Sequence, residues 1–154
     1  MAAETPHKQR VLPPTYFGIA LMAAVAGHVF LPIAELVAWP WNLSGLLFIA
    51  SGIWLNLDAD RAFKARGTTV KPFQESSVLI TDGSYNISRH PMYLGMLLIL
   101  CGLATLLGSV FPFLVVPILW ILLDRRFVKI EEKMLEYRFG EDWQRFTGRV
   151  RRWI

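Results

Sequence analysis

The chain has 154 residues, a length typical of one domain, and 54% of them are hydrophobic while only 18% are charged. This is the composition of a membrane protein and not of a typical soluble domain. The formal net charge is +4 and Cys101 is the single cysteine, so the sequence contains no disulfide framework, no cysteine-based metal site and no motif for reading nucleic acid. We therefore expect neither a metal nor a nucleic acid as a partner.

Three apolar blocks follow one another along the chain. Tyr16–Val37 is long enough to cross a hydrocarbon core of about 30 Å, and it has no small-residue cleavage signature, so we expect it to be retained. A second, shorter block covers Leu43–Leu57. The third, Met92–Leu123, is interrupted at "LGSVFP", which predicts a hairpin of two helices of about 15 residues each.

The positions of the basic residues predict how these helices are oriented. The two proposed outer connections, Ala38–Asn42 and Gly108–Phe111, contain no lysine or arginine. All 16 basic residues fall in the N-terminal tail, the loop Asp58–Pro91 or the tail after Leu123. By the positive-inside rule both termini and the central loop are cytoplasmic. We expect a multi-pass protein of the plasma membrane of a prokaryote, in contact with membrane lipids.

The last polar segment predicts two further helices. One covers Asp124–Phe139 and ends at Gly140. Beyond it, apolar residues recur at helical spacing between arginines, which is typical of an amphipathic helix lying on the membrane surface; they are Trp143, Phe146, Val150 and Trp153.

The predicted fold class is therefore an all-α integral membrane protein with about four transmembrane helices, a helical hairpin, a cytoplasmic loop and a C-terminal amphipathic helix. We expect one domain over residues 1–154, with the N-terminal spans in 1–57 and the catalytic loop, hairpin and C-terminal helices in 58–154. His28 and Glu35, seven residues apart, would share a face of the first span. We expect them to serve in packing or as a buried polar pair, away from the cytoplasmic site.

Three sequence motifs and the hydrophobic hairpin together carry a family resemblance. "GTTVKP" and "SVLITDGSYNISRHPMYLG", then the hydrophobic hairpin, then "EEKMLEYRFGEDWQRF", resemble the isoprenylcysteine carboxyl methyltransferase and phospholipid methyltransferase group of membrane enzymes. The resemblance covers the chain from Gly67 onward. It implies methyl transfer from the cofactor S-adenosyl-L-methionine to an apolar or lipid-like substrate that enters from the bilayer and reacts at the cytoplasmic face.

The resemblance also implies which residues bind the cofactor. It assigns this role to Ser77, Val78, Leu79, Ile80, Tyr85, Arg89, His90, Pro91, Met92, Tyr93 and Glu131. Pro91 suits a first helical position, which leaves the N–H groups of Met92 and Tyr93 free to face the cofactor carboxylate. An isolated pair such as Arg89 and His90 more often reaches lipid headgroups, but the motif around this pair favours a cofactor role.

Glu131 and Glu132 lie on different faces of the predicted helix, because adjacent helical residues are about 100° apart. One stripe contains Asp124, Val128, Glu131 and Leu135. The other contains Arg125, Lys129, Glu132 and Glu136 and is typical of a solvent-exposed ladder of opposite charges. Glu131 is thus predicted to point inward, while Glu132 is kept as a candidate catalytic base.

The identity of the methyl acceptor is left open by a departure from the family pattern. Family members that methylate a carboxylate have an arginine just upstream of the acidic pair, and the aligned position here is Phe127, with Arg126 beside it. We therefore name Arg126 as the second catalytic candidate, with a carboxylate, an amine or a thiol as acceptor.

Two alternatives remain at the level of sequence. Membrane sterol reductases, which use NADPH, contain a similar basic-His-Pro-x-Tyr-x-Gly element, although this chain is short for them. A non-catalytic membrane adaptor would keep the fold and bind no cofactor.

Overall fold

The computed structural model describes residues 12–67 and 78–154. Within these ranges the chain forms six α-helices: α1 (Pro13–Phe30), α2 (Gly45–Ala65), α3 (Pro91–Leu107), α4 (Val110–Leu123), α5 (Lys129–Phe139) and α6 (Glu141–Thr147). Short 3₁₀ turns at Trp41–Ser44 and Gly83–Asn86 precede α2 and α3, and a π-helical turn at Asp124–Val128 joins α4 to α5. The described residues confirm the all-helical prediction.

Helix α1 ends earlier along the chain than the predicted apolar block Tyr16–Val37. It ends at Phe30 because proline disfavours helical backbone at the residue before it, and Pro32 follows Leu31. The next residues run alongside the turn between α3 and α4, where the backbone N–H groups of Leu36 and Val37 donate to the Gly108 carbonyl at 2.6 and 3.1 Å. The prediction that His28 and Glu35 share a helix face is therefore wrong.

Helix α2 continues past the predicted end at Leu57. The apolar run stops at Asp58, but the helix continues to Ala65 through a polar turn in which Lys64 and Asp60 form an i,i+4 ion pair at 2.5 Å. Hydropathy predicted where the apolar run ends, but the helical backbone continues beyond that point. The extra turns reach the segment that leads into α3.

The predicted hairpin within Met92–Leu123 is confirmed. Helix α3 ends at Leu107, and Gly108 adopts the left-handed conformation (φ +73°) that permits the tight reversal into α4. At this turn the hydroxyl of Ser109 lies 2.8 Å from Nδ1 of His28 on α1, a hydrogen bond between the hairpin and the first helix.

Glycines allow α2 and α3 to pack very closely as antiparallel neighbours. Gly52 faces Gly95, and Gly45 faces Gly102 seven residues away on each helix, so backbone meets backbone at both crossings. The side-chain amide of Asn56 donates to the Gly52 carbonyl at 2.8 Å beside the first crossing. On the other side of α3, larger buried residues such as Leu100 and Leu119 form the core with α1 and α4.

The apolar side chains on the outside of the bundle are strongly exposed. Met22 is 74% and Leu47 is 72% exposed. By length and composition, α1 is the one helix in the described ranges that qualifies as a membrane span, and α3 is a shorter apolar helix. Apolar surface of this extent is typical of lipid contact.

The predicted surface-lying amphipathic helix is wrong in extent and in position. Helix α6 has only seven residues, and Trp143, Phe146 and Val150 are buried within the protein. They form a second apolar cluster, packed against Leu79, Tyr85, Leu135 and Phe139. Their helical spacing is real, but protein side chains cover them.

Replacing Gly52 by alanine should destabilise the bundle. A Cβ atom there would lie 2.5 Å from the Gly95 carbonyl oxygen, so the helices would have to separate, at a cost of about 1 to 3 kcal/mol. Gly18→Ala is the matched control, since its Cβ would meet no atom within 4 Å. Thermal unfolding in detergent measures both variants, and an equal effect of the two would contradict close packing of α2 on α3.

Candidate functional site

The segment before α3 is held rigidly by its own residues and by residues near position 152. The hydroxyl of Ser88 donates to the Arg152 carbonyl at 3.0 Å and accepts from the backbone N–H of His90 at 3.1 Å. Pro91 then occupies the first turn of α3, as predicted, and directs the His90 side chain inward, where it is 3% exposed. We call Ser88–Pro91 the doorway.

The π-helical turn at Asp124–Val128 decides which acidic residue points toward the doorway. Buried residues recur every four positions into the turn, at Leu119, Leu123 and Phe127. From the end of the turn they recur every four positions again, but one residue later along the chain, at Val128 and Glu132. A π turn accommodates one extra residue and so rotates everything after it relative to a regular helix. The predicted phase was therefore wrong: Glu132 is the buried carboxylate, and the exposed ladder does not include it.

Glu132 is surrounded by three basic side chains. Its Oε1 lies 3.1 Å from Nη1 of Arg89 and 3.4 Å from Nε2 of His90, and its Oε2 accepts from Nη2 of Arg152 at 2.5 Å. Burial alone would raise the pKa of Glu132, but the hydrogen bonds from His90 and Arg152 and the charge of Arg89 lower it to about 2. Glu132 is thus a firmly ionised anchor for this cluster.

Glu131 lies beside the cluster and keeps more contact with solvent. Its Oε2 accepts from the Tyr93 hydroxyl at 3.0 Å, and Nδ1 of His90 lies 3.8 Å from the same oxygen. The Glu131 side chain is 35% exposed. The His90 ring therefore lies between two carboxylates, with Nδ1 toward Glu131 and Nε2 toward Glu132, and stacks on the Tyr93 ring at 5.8 Å between centroids.

The remaining predicted site residues differ in how deeply they are buried. Ile80 is buried, Leu79 is half-buried in the second apolar cluster, and Val78 is exposed. Met92 is half-buried in the first turn of α3. Ser77 lies outside the described residues.

Tyr85 is fixed by the polar end of α2. Its ring packs edge-on against Phe63 at 6.1 Å, and the backbone N–H of the preceding Ser84 donates to Oδ2 of Asp58 at 2.8 Å. Burial raises the pKa of the Tyr85 hydroxyl, with a further contribution from the charge of Glu131. Tyr85 is therefore a neutral side chain near Glu131.

Phe127, the position at which the sequence departs from the family pattern, and the neighbouring Arg126 have different surroundings. Arg126 is exposed, whereas Phe127 is 3% exposed and packs against the rings of Tyr16 and Tyr93. The position aligned with the carboxylate-binding arginine thus belongs to the apolar core of the bundle.

Sequence reasoning missed two members of the cluster. Arg152 lies in the segment predicted to form a membrane-surface helix, but its side chain reaches both Glu132 and, at 3.5 Å, Asp124. Asp124 had been placed only as part of a helix stripe. The sequence offers no local signal that separates Arg152 from Arg149 and Arg151, because all three are arginines in the same short segment.

Three buried polar atoms in and beside this region have no hydrogen-bond partner among the described residues: Ser84 Oγ, Arg89 Nε and Arg152 Nε. Buried donors of this kind are costly unless a ligand or water satisfies them. Within the described ranges, no group of three or more His, Cys, Asp or Glu side chains is arranged to hold a metal ion. The arrangement suits an organic ligand with both anionic and cationic groups.

Comparison of the sequence with known proteins places the chain in a family. The profile of the phospholipid methyltransferase family matches residues 41–142. Phosphatidylethanolamine N-methyltransferase of Saccharomyces cerevisiae is 38% identical over 69 residues, which are 43% of this chain and 8% of that protein. An uncharacterized protein of Haemophilus influenzae is 36% identical over 63 residues, 41% of this chain and all of that protein. No significant match was found among solved structures.

These matches confirm the resemblance to phospholipid methyltransferases that the sequence motifs predicted. The match begins at Trp41 and so covers α2, the doorway, the hairpin and the whole of α5 with both acidic residues. The chain spans only 8% of the length of the yeast relatives.

Glu132→Gln should destabilise the ligand-free protein by about 1 to 3 kcal/mol, because Arg89 and Arg152 lose a charged hydrogen-bond acceptor. The pKa of Glu132 is lowered from 4.5 to about 2 in the folded protein, so its contribution is present above about pH 4.5 and is lost as the pH falls toward 2. Thermal midpoints should therefore fall less with acidification in the variant than in the parent.

The exposed residue Glu136 provides the control for this prediction. Glu136→Gln should change the free energy of unfolding by less than about 0.5 kcal/mol and leave the pH dependence unaltered. Identical acid profiles for the parent and Glu132→Gln would contradict the anchoring role of Glu132.

Proposed function

Because the chain belongs to the phospholipid methyltransferase family, we propose that it transfers a methyl group from S-adenosyl-L-methionine to the amine of a phospholipid at the cytoplasmic membrane face. The observation that carries the proposal is the doorway, where His90 lies between two carboxylates and beside two arginines. The yeast relatives, named phosphatidylethanolamine N-methyltransferases, suggest the acceptor.

The residues around the doorway match the chemical groups of this cofactor. Arg89 has a buried Nε with no hydrogen-bond partner among the described residues, and this nitrogen is available to donate to the cofactor carboxylate. Glu131 uses only Oε2 in its contacts with described residues, which leaves Oε1 for an ammonium or a hydroxyl. Leu79 and Tyr85 supply apolar surface nearby. We propose that these residues hold the cofactor.

When bound, S-adenosyl-L-methionine would supply an electrophilic methyl group attached to a positively charged sulfur; as the acceptor nitrogen takes the methyl group, the carbon–sulfur bond breaks and the rest of the cofactor is left as a neutral thioether. The protein contributes orientation and exclusion of water, which raise the rate of a displacement between two bound reactants. We assign Glu131 to the cationic end of the cofactor, and Glu132 to positioning His90 and Arg89. A pKa of about 2 makes Glu132 a weak proton acceptor, so it is disfavoured as a base.

An amine acceptor is favoured over a carboxylate by the residue at position 127. A carboxylate substrate needs a cation to bind it, and Phe127 instead packs into the core against Tyr16 and Tyr93. Arg126 is exposed at the end of the hairpin. We propose that Arg126 contacts the phosphate of the lipid headgroup rather than the reacting atoms.

We propose that helices α1 to α4 all cross the bilayer within a single membrane domain, with the segments before α1 and after α4 in the cytoplasm. The exposed apolar faces of α1, α2 and α4 support this arrangement. At 1.5 Å per residue the 17 residues of α3 cover about 25 Å, so the local hydrocarbon region would be thin. The outer connections lack basic residues.

Cysteine labelling tests this topology. In a background with Cys101→Ser, a Trp41→Cys variant should react with a membrane-impermeant maleimide in intact cells, because Trp41 lies in an outer connection and is 76% exposed. An Arg149→Cys variant should react only after the cells are permeabilised. Labelling of both positions from the same side would contradict four spans.

Methyl transfer should be measurable in vesicles containing phosphatidylethanolamine and cofactor with a radiolabelled methyl group. The label should appear in the phospholipid, and the rate should rise with pH up to about 10, since only the neutral amine attacks. His90→Ala and Glu131→Gln should each weaken binding of S-adenosylhomocysteine by about 1 to 3 kcal/mol, the usual cost of a lost hydrogen bond to a charged group.

Glu136→Gln is the control for binding, and a thermal melt of each ligand-free variant separates lost contacts from lost folding. The cofactor assignment fails if both site variants bind as tightly as the parent. Protection by NADPH without protection by S-adenosylhomocysteine would favour the reductase alternative.

A further inference from the structure

Residues Val150–Trp153, which we call the strap, follow α6 and run across the doorway. The backbone N–H of Arg89 donates to the Arg151 carbonyl at 3.1 Å, and the Ser88 hydroxyl donates to the Arg152 carbonyl at 3.0 Å. The doorway is therefore bound to two successive carbonyls of the strap, once through the backbone of Arg89 and once through the side chain of Ser88.

The strap is anchored by an apolar side chain at each end. Val150 is 7% exposed within the second apolar cluster, next to Trp143 and Phe146. Trp153 packs edge-on against Trp120 of α4, with ring centroids 6.3 Å apart. These two contacts set the position of Arg152 between them.

The Arg152 side chain joins the two sides of the π-helical turn. Its Nη2 donates to Glu132 at 2.5 Å, and its Nη1 lies 3.5 Å from Asp124, which precedes the extra residue of the turn. The hydrogen bond to Glu132 is also the largest influence on the arginine and raises its pKa. Arg152 thus fixes one oxygen of Glu132, while Arg89 and His90 lie at the other.

We propose that Arg152 is a positioning residue of the cofactor site: by holding Glu132, it sets the orientation of the His90 ring and of the Arg89 guanidinium. The inference rests on the proposed function, since the site that it organises is the proposed cofactor site. Without Arg152, Oε2 of Glu132 loses the only partner it has among the described residues and the carboxylate is free to turn. His90 then loses the acceptor that fixes Nε2.

Three variants test the role of Arg152. Arg152→Gln removes the charge and the second donor pair, Arg152→Lys keeps the charge without the planar fork, and Arg151→Gln changes the exposed neighbouring side chain while keeping its carbonyl contact to Arg89. The measurements are the ¹⁵N resonances of the His90 imidazole in ligand-free protein, the affinity for S-adenosylhomocysteine and the thermal midpoint.

Arg152→Gln should shift the His90 Nε2 resonance and weaken S-adenosylhomocysteine binding about tenfold. Arg152→Lys should have a smaller effect on both the resonance and the affinity. Arg151→Gln should match the parent in both measurements. A lower midpoint with unchanged resonance and affinity would mean a purely structural role and would overturn the proposal. If Arg152→Gln does not fold, Arg152→Lys decides in the same way.

The two proposals fail differently in these measurements. If the parent does not bind S-adenosylhomocysteine at all, the proposed function fails. The positioning role is then decided by the His90 resonances alone, and unchanged resonances in the Arg152 variants overturn it. If His90→Ala abolishes binding while the Arg152 variants bind like the parent, the function stands and the positioning role is wrong.

Discussion

The ionised carboxylate of Glu132 is the point to which the polar parts of this protein are tied. It is contacted by the doorway through Arg89 and His90 and by the strap through Arg152. Removing one member of such a cluster leaves a partly buried charge without its counterion, so the segments are mutually dependent. Elements far apart in sequence are thereby held at one place at the polar end of the bundle.

The apolar part of the protein makes this cluster possible by fixing where α3 begins. Paired glycines bring α2 against α3 without intervening side chains, so the polar end of α2 lies beside the segment that precedes α3. There Asp58 binds the backbone of Ser84, and Phe63 packs against Tyr85. The close packing in the bundle thus determines the position of the residues proposed to bind the cofactor.

The distribution of surface chemistry agrees with an enzyme acting on a lipid. The outer faces of the helices expose large apolar side chains, while the charged cluster lies at one end, next to exposed residues such as Arg125 and Arg126. A lipid could thus keep its acyl chains in the bilayer while its headgroup reaches the doorway. The proposed catalysis needs little beyond holding two reactants together.

Much of the fold and part of the site were determined by the sequence alone. Hydrophobic runs and turn residues predicted the hairpin of α3 and α4 with its reversal at Gly108, because these are local properties of the chain. The "RHPMY" and "EEKML" motifs predicted the family, and they indicated His90 as a candidate cofactor-binding residue. Hydropathy failed at the end of α1, where Pro32 ends the helix before the apolar residues stop.

Only the tertiary structure decided which acidic residue is buried and which distant arginine pairs with it. A regular helix of 3.6 residues per turn places Glu131 inward, but the π-helical turn at Asp124–Val128 adds one residue and rotates Glu132 into the cluster. Arg152 joins it because Val150 and Trp153 find apolar partners within the protein. Both outcomes depend on packing between segments distant in sequence, which local periodicity does not contain.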